Sequence, residues 1–143
     1  MTVELIGFSA KEKELINKAY KIRQTVFVKE QNVDKRIEYD GLDEKATHYL
    51  VTVDNIPVAT ARWRETQKGI KLERFAVLKS YRKKSLAGLL LNFILDELKP
   101  SGKNIYLHAQ AQVERFYAGH GFKKSGEPFY EADIKHYFME YKE

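Results

Sequence analysis

Cysteine is absent from the 143 residues of this chain. That excludes a disulfide scaffold, a thiolate zinc site and a cysteine nucleophile. No apolar run is long or unbroken enough to span a bilayer. Met1 leads straight into Glu4 and polar residues, without a basic-then-apolar leader, so the expected compartment is cytoplasmic. Linkers rich in Pro, Gly or Ser, low-complexity tracts and solenoid-length repeats are also missing. At roughly 100–200 residues per domain, the expectation is one domain over residues 1–143. The histidines lack a ligand spacing such as H-x-x-x-H, so no metal is expected.

What is present is a packing inventory. Hydrophobic residues make up 43% and aromatics 13%, including nine Tyr and eight Phe. Such a chain can bury a core and is not disordered. Lys and Arg total 25 against 20 Asp and Glu, a formal net charge of +5. This excess permits a phosphate or nucleic-acid partner without demanding one. Nothing like an RNP, helix-turn-helix or zinc-finger pattern is present, so nucleic acid is not expected.

Ser9-Ala10-Lys11-Glu12 has the spacing of a capping box. After it, Leu15, Ala19, Ile22 and Val26 recur on one helical face. Turn chemistry and charge dominate from Lys29 to Lys45. Tyr49–Val53 and Ile56–Trp63 read as strands joined at Asp54-Asn55, followed by a third strand, Ile70–Leu78. Leu86, Leu89, Leu90, Phe93 and Ile94 then mark the clearest helix, ended by Pro100-Ser101-Gly102. Ile105–Ala109 reads as a short buried strand. Val113–His120 reads as a helix with Gly121 at its left-handed cap. Phe122–Lys124 and His136–Tyr141 close the chain as strands. The predicted order is helix, three strands, helix, strand, helix, two strands: a mixed α/β (α+β) domain with one strand–helix–strand crossover.

The informative segment joins the third strand to that clearest helix. Lys79, Arg82, Lys83 and Lys84 crowd the helix N-terminus with no acid among them. Helix N-termini hold anions through free N–H groups and a partial positive charge. Cations there oppose the dipole unless an anion joins them. The alternative is a solvated basic turn.

Arg82-Lys83-Lys84-Ser85-Leu86-Ala87 resembles the Q/R-x-x-G-x-G/A loop of the GNAT acetyltransferases. Phe116-Tyr117-Ala118-Gly119-His120-Gly121-Phe122 is similar to that family's F-Y-x-x-x-G-F. Ile22–Gln31 and the ending Phe129–Met139 resemble its ElaA-like branch. The resemblance spans nearly the whole chain and implies a GNAT-like fold, with a central mixed sheet flanked by helices. It implies an N-acetyltransferase that passes the acetyl group of acetyl-CoA directly to an amine acceptor. The loop residues Arg82, Lys83, Lys84, Ser85, Leu86, Ala87 and Gly88 would take the pyrophosphate. Phe75, Ala76 and Val77 would pair with the pantetheine arm, with Gln110 where many relatives carry Asn. Ser85 replaces the family's first loop glycine, which a serine can do if φ stays negative. The resemblance is also compatible with a homodimer.

By the same resemblance Tyr117 protonates the departing thiolate; as a helix residue alone it reads as a packed aromatic. An acceptor amine arrives protonated and needs a base. Glu30, Glu38, Asp40, Asp43 and Glu73 are candidates, Glu73 having the best position on the strand before the loop. Glu30, Asp40, His48 and His108 are the expected acceptor-binding residues, each also readable as an ordinary structural or solvated side chain. His120 is expected in a solvent-facing turn, and His136 to pin Glu131 or backbone. The rival from another class is a non-catalytic CoA sensor or basic nucleic-acid-binding module on the same fold.

Overall fold

The computed structural model describes residues 1–83 and 85–142. Eight strands form one sheet in the order β1-β2-β3-β4-β5-β8-β6, with β7 also on β8. They are β1 (Val3–Ser9), β2 (Thr47–Val53), β3 (Ile56–Thr66), β4 (Gly69–Val77), β5 (Ile105–Gln110), β6 (Phe122–Lys124), β7 (Phe129–Glu131) and β8 (Ile134–Tyr141). Every pairing is antiparallel except β4 with β5. The helices are α1 (Lys13–Arg23), α2 (Lys35–Glu38), α3 (Leu86–Leu98) and α4 (Glu114–Ala118). The expected mixed sheet and the β4–α3–β5 crossover are both observed.

Helices cover both faces, so β2 buries residues on both. Tyr49, Val51 and Val53 join the core under α3, while Leu50 joins Ile16, Ala19, Ile22 and Val26 under α1. On α3 the buried residues are Leu86, Leu90, Leu91, Ile94, Leu95 and Leu98. Leu89, expected inside, is 47% exposed. Its helix is apolar over more than one stripe, so periodicity alone could not fix the buried face.

The first and last segments differ from expectation. The capping box does not form: Ser9 ends β1, its Oγ accepts from the Lys11 N–H, and helix α1 begins at Lys13 without a side-chain cap. β1 is an edge strand whose burial does not alternate cleanly, since Ile6 is exposed and Phe8, on the same face, is buried, so its sequence carries no clear strand signal. Near the C-terminus, Ala132 and Asp133 turn β7 into β8 with φ +50 and +62. This turn lacks the Asn-Gly or Asp-Gly signature that marks such hairpins. Gly121 has φ +94 as expected, although α4 already ends at Ala118.

Beyond α1 the helix widens over Gln24–Glu30, where the Gln31 N–H reaches back five residues to the Val26 carbonyl at 3.1 Å. Such π-helical stretches are rare and concentrate at functional sites. This one delivers Val26, Phe27, Glu30 and Gln31 to the cleft described next.

Candidate active site

β4 and β5 stay paired only over Ile70↔Ile105, Lys71↔Tyr106 and Leu72↔Leu107. Just beyond, β4 bulges: Arg62 faces Glu73 but Thr60 faces Ala76, so β4 uses one residue more than β3. Arg74, the bulged residue, has φ +58. A bulge bends its strand and sharpens the local twist. Here β4 leaves β5, and a cleft of about 730 Å³ opens between them. Phe75, Ala76 and Val77 wall it from β4, His108 and Gln110 from β5, and Tyr117 from α4.

Tyr117 is 7% exposed, with its ring edge-on to Phe75, Phe116 and Phe122. Its hydroxyl donates to no described residue, yet it is not sealed in. Tyr117 is among the residues that line the cleft. Burial pushes its pKa above the ordinary value, so the phenol keeps its proton at neutral pH.

The basic loop lies at one end of this cleft. A second hollow, about 470 Å³, is lined by Lys83, Ser85, Leu86, Ala87 and Gly88. It shares Val77, Arg82, Ala87 and Phe116 with the main cleft. Arg82 is held by donation from Nε to the Val77 carbonyl (2.9 Å) and by a two-pronged bond to Glu30 (2.6 and 2.9 Å). Glu30 thus sits in the cleft, with its pKa lowered chiefly by Arg82. Lys84, expected in this loop, lies outside the described residues. His120 is half-buried rather than solvent-facing; it packs on α3, where a Cβ at Gly88 would lie 3.2 Å from its Nε2.

Ser85 departs from the conformation expected for it: φ is +61, in the left-handed region, and its side chain caps nothing. A non-glycine residue costs about 1–2 kcal/mol there. Ser85→Gly is therefore expected to stabilise the fold by roughly 0.5–1 kcal/mol after glycine's extra chain entropy. Urea denaturation measures it. A destabilised variant would show that the serine hydroxyl supports the loop.

A charge network that the local sequence does not show reaches one wall of the cleft through Glu38, Asp40, Glu73 and Arg74. Arg62 is fully buried and donates to Glu73, Asp43 and Asp40, each at 2.7 Å. Arg23, also buried, donates to Glu38 and Asp43. Arg74 bonds Asp40 at 3.1 Å, and its Nε lies 2.9 Å from Glu38 without pointing at it. Strand alternation alone puts Thr60, Arg62 and Arg64 on one face of β3, the only sequence signal for this cluster.

Two expected roles are corrected here. Glu73, expected as the base, is 8% exposed and clasped by Arg62, Arg64 and Lys71. Burial raises its pKa, but those cations more than offset it and hold it at about 2. Such a carboxylate is a very weak proton acceptor at neutral pH. Glu73 lines the cleft, and there it gathers Arg62, Arg64 and Lys71 around its carboxylate. His48, expected at the acceptor site, is 1% exposed, stacks on Phe8 and bonds the Asp43 carbonyl at 2.8 Å. It is not among the residues lining the cleft. Asp40 lines the cleft as Glu73 does, and Arg62 and Arg74 hold its carboxylate, at about 2 despite burial.

The end of the cleft away from the loop is built by β5 and the β7–β8 hairpin. His108 Nδ1 lies 3.3 Å from both Glu131 oxygens. Phe129 meets the His108 ring edge-on and stacks on His136. Gln110 pairs its amide with Gln31 (2.9 and 3.4 Å), tying β5 to the widened helix.

The Acetyltransferase (GNAT) domain family model matches residues 9–143. YyaT of Bacillus subtilis (strain 168) is 38% identical over 128 residues, covering 87% of this chain and 86% of its own. YjcF of the same organism, named as an N-acetyltransferase, is 36% identical over 132 residues, covering 91% and 94%. Among solved structures, Escherichia coli ElaA superposes with a TM-score of 0.89 at 25% identity, covering 99% of this chain and all of its own. With the splayed strands, the bulge and the basic loop at the head of α3 all in place, this chain belongs to the GNAT acetyltransferase family.

Proposed function

We propose that this protein is an N-acetyltransferase that moves the acetyl group of acetyl-CoA directly to an amine held in the same cleft. One observation carries this reading. The β4–β5 fork shares its lining with the basic-loop hollow, and Tyr117 lines the fork with a hydroxyl that bonds no described residue. Strand edges released by the fork offer backbone groups to an extended pantetheine arm, as a sheet edge does to an added strand. Phe75, Ala76 and Val77 supply that edge. Ser85 to Gly88, at the first turn of α3, would receive the pyrophosphate at a helix N-terminus. Arg82 and Lys83 would add charge, Arg82 by exchanging Glu30 for phosphate, which it can bind with the same two-pronged geometry.

The amine nitrogen attacks the thioester carbon, the C–S bond breaks, and the sulfur leaves as a thiolate that needs a proton. Tyr117 holds one, kept in place by burial. Burial also makes the phenolate costly, so the phenol is regenerated from the proton the amine releases. Without cysteine in the chain, no acetyl-enzyme thioester intervenes, in keeping with direct transfer.

The test has two arms. Acetyl-CoA titration should raise the melting temperature, as any ligand bound to the native state does. A panel of amines with acetyl-CoA should then release free thiol. Stabilisation without thiol release from any amine would favour the CoA-sensor reading, and neither response would overturn both.

A further inference from the structure

We infer that His108, oriented by Glu131, is the base that takes the proton from the attacking amine. The inference rests on the acetyl-transfer reading above and names a residue for the step to which Glu73, clasped by three cations, is poorly suited.

Position comes first. Leu107 is the last β5 residue paired with β4, so His108 is the first beyond the fork. Leu107 and Ala109 point into the core under α3. Alternation therefore turns His108 to the opposite face of the sheet. Tyr117 and Phe75 pack on the α3 side. A thioester passing through the fork would thus have its sulfur at the phenol on one face. Its carbonyl carbon would be open to a nucleophile arriving beside His108 on the other.

Orientation comes next. Glu131 is ionised at neutral pH, with its pKa lowered first by the hydrogen bond from His108. An ionised carboxylate only accepts hydrogen bonds, so Nδ1 carries the proton it shares with Glu131. Nε2 is then the ring's free lone pair. Nε2 bonds no described residue and is not sealed in, while the ring lines the cleft. The Phe129 edge, 5.0 Å from ring centre to ring centre, limits rotation. The charged or titratable groups around the pair are His136 on β8, 3.9 Å from Glu131, and Lys71 on β4, whose charge also lowers the Glu131 pKa. Tyr106 on β5 packs on the ring from the side.

The step balances. The amine enters neutral, its ammonium proton already lost to solvent, and as the C–N bond forms the nitrogen gives a further proton to His108 Nε2. As the C–S bond breaks, Tyr117 gives its proton to sulfur. The imidazolium returns a proton through water to the phenolate, restoring both residues. The products are the amide and free CoA thiol. Glu131 touches no reacting atom and is a positioning residue.

The test uses the full chain with one amine found active in the panel. His108→Gln should lower kcat/KM about 10²–10³-fold, within the usual range for a lost general base, with acetyl-CoA affinity unchanged. Glu131→Gln, at a half-exposed site, should lower it about tenfold through loss of a charge-assisted bond. Its loss should fall on kcat more than on the KM for the amine, because Glu131 touches no reacting atom. Nitrogen-15 NMR of the wild type, which needs no acceptor, should show the His108 proton on Nδ1. A proton on Nε2, a Glu131→Gln variant with unchanged kcat, or a His108→Gln variant with near-normal turnover would each overturn the inference. A wild type that acetylates no amine sinks the acetyl-transfer reading and this inference with it. An active wild type matched by His108→Gln sinks the inference alone.

Discussion

Tyr117→Phe is expected to cut kcat by about 10²–10⁴-fold, the usual cost of losing a general acid. Acetyl-CoA affinity should stay close to wild type. The ring makes the contacts with Phe75, Phe116 and Phe122, and the substitution keeps the ring. The hydroxyl bonds no described residue, so its removal leaves no buried partner stranded. Stability should therefore hold or rise slightly, since a polar atom leaves a largely apolar site. An interaction used only as the C–S bond breaks lowers kcat and kcat/KM together. Steady-state kinetics with the active acceptor, beside an acetyl-CoA titration, separates these quantities. Normal turnover across the pH range would make Tyr117 a packing residue.

Arg62→Met should cost about 3–5 kcal/mol of folding stability, the range found when one partner of a buried ion pair is removed. Methionine fills much of the volume, so the loss is electrostatic. Asp40, Asp43 and Glu73 each lose a bond of 2.7 Å. Remaining bonds from Arg23, Arg64 and Arg74 keep the figure from being larger. Acid titration should show the same network. Asp40 and Glu73 sit at about 2 when folded, against ordinary values of 3.8 and 4.5. A depressed folded pKa gives stability that is present above the unfolded value and fades as pH falls toward the folded one. Wild-type stability should therefore drop between about pH 4.5 and 2. Glu38, raised by burial against the pull of Arg23 and Arg74, opposes this in part. In Arg62→Met the drop should be shallower, because the folded carboxylates move back toward their ordinary values. Urea midpoints from pH 7 to 2 measure both effects. A loss below about 1 kcal/mol would mean that the carboxylates re-pair without Arg62.

Much of the architecture is local and was open to reading. The Asp54-Asn55 hairpin, the strand before the basic loop, the long apolar helix and the strand after it follow from alternation, turn residues and helical periodicity. The loop and the Phe116–Phe122 segment carried the family resemblance, because backbone–phosphate binding and a phenol on a short helix leave marks within a few residues. Ser85 shows the limit even there. Its residue type was plain, but its left-handed φ comes from how the loop enters α3.

What stayed hidden depends on partners distant along the chain. Arg23 and Asp43 stand 20 residues apart, Arg62 and Asp40 22, and Arg82 and Glu30 52. A carboxylate looks alike in sequence whether it is free to accept a proton or clasped by buried cations, so Glu73 read as a base. His48 read as an acceptor ligand for the same reason, since burial is set by α1 and Phe8 rather than by its neighbours. The sequence by itself determined the strand, helix and turn signals and the chemistry of the loop, because these depend on near neighbours and backbone geometry. The tertiary structure alone decided which acids are silenced by cations, where the bulge parts β4 from β5, and that Glu131 meets His108. Each of these is a meeting of segments that only the folded sheet brings together, and the electrostatics of burial follow from that meeting.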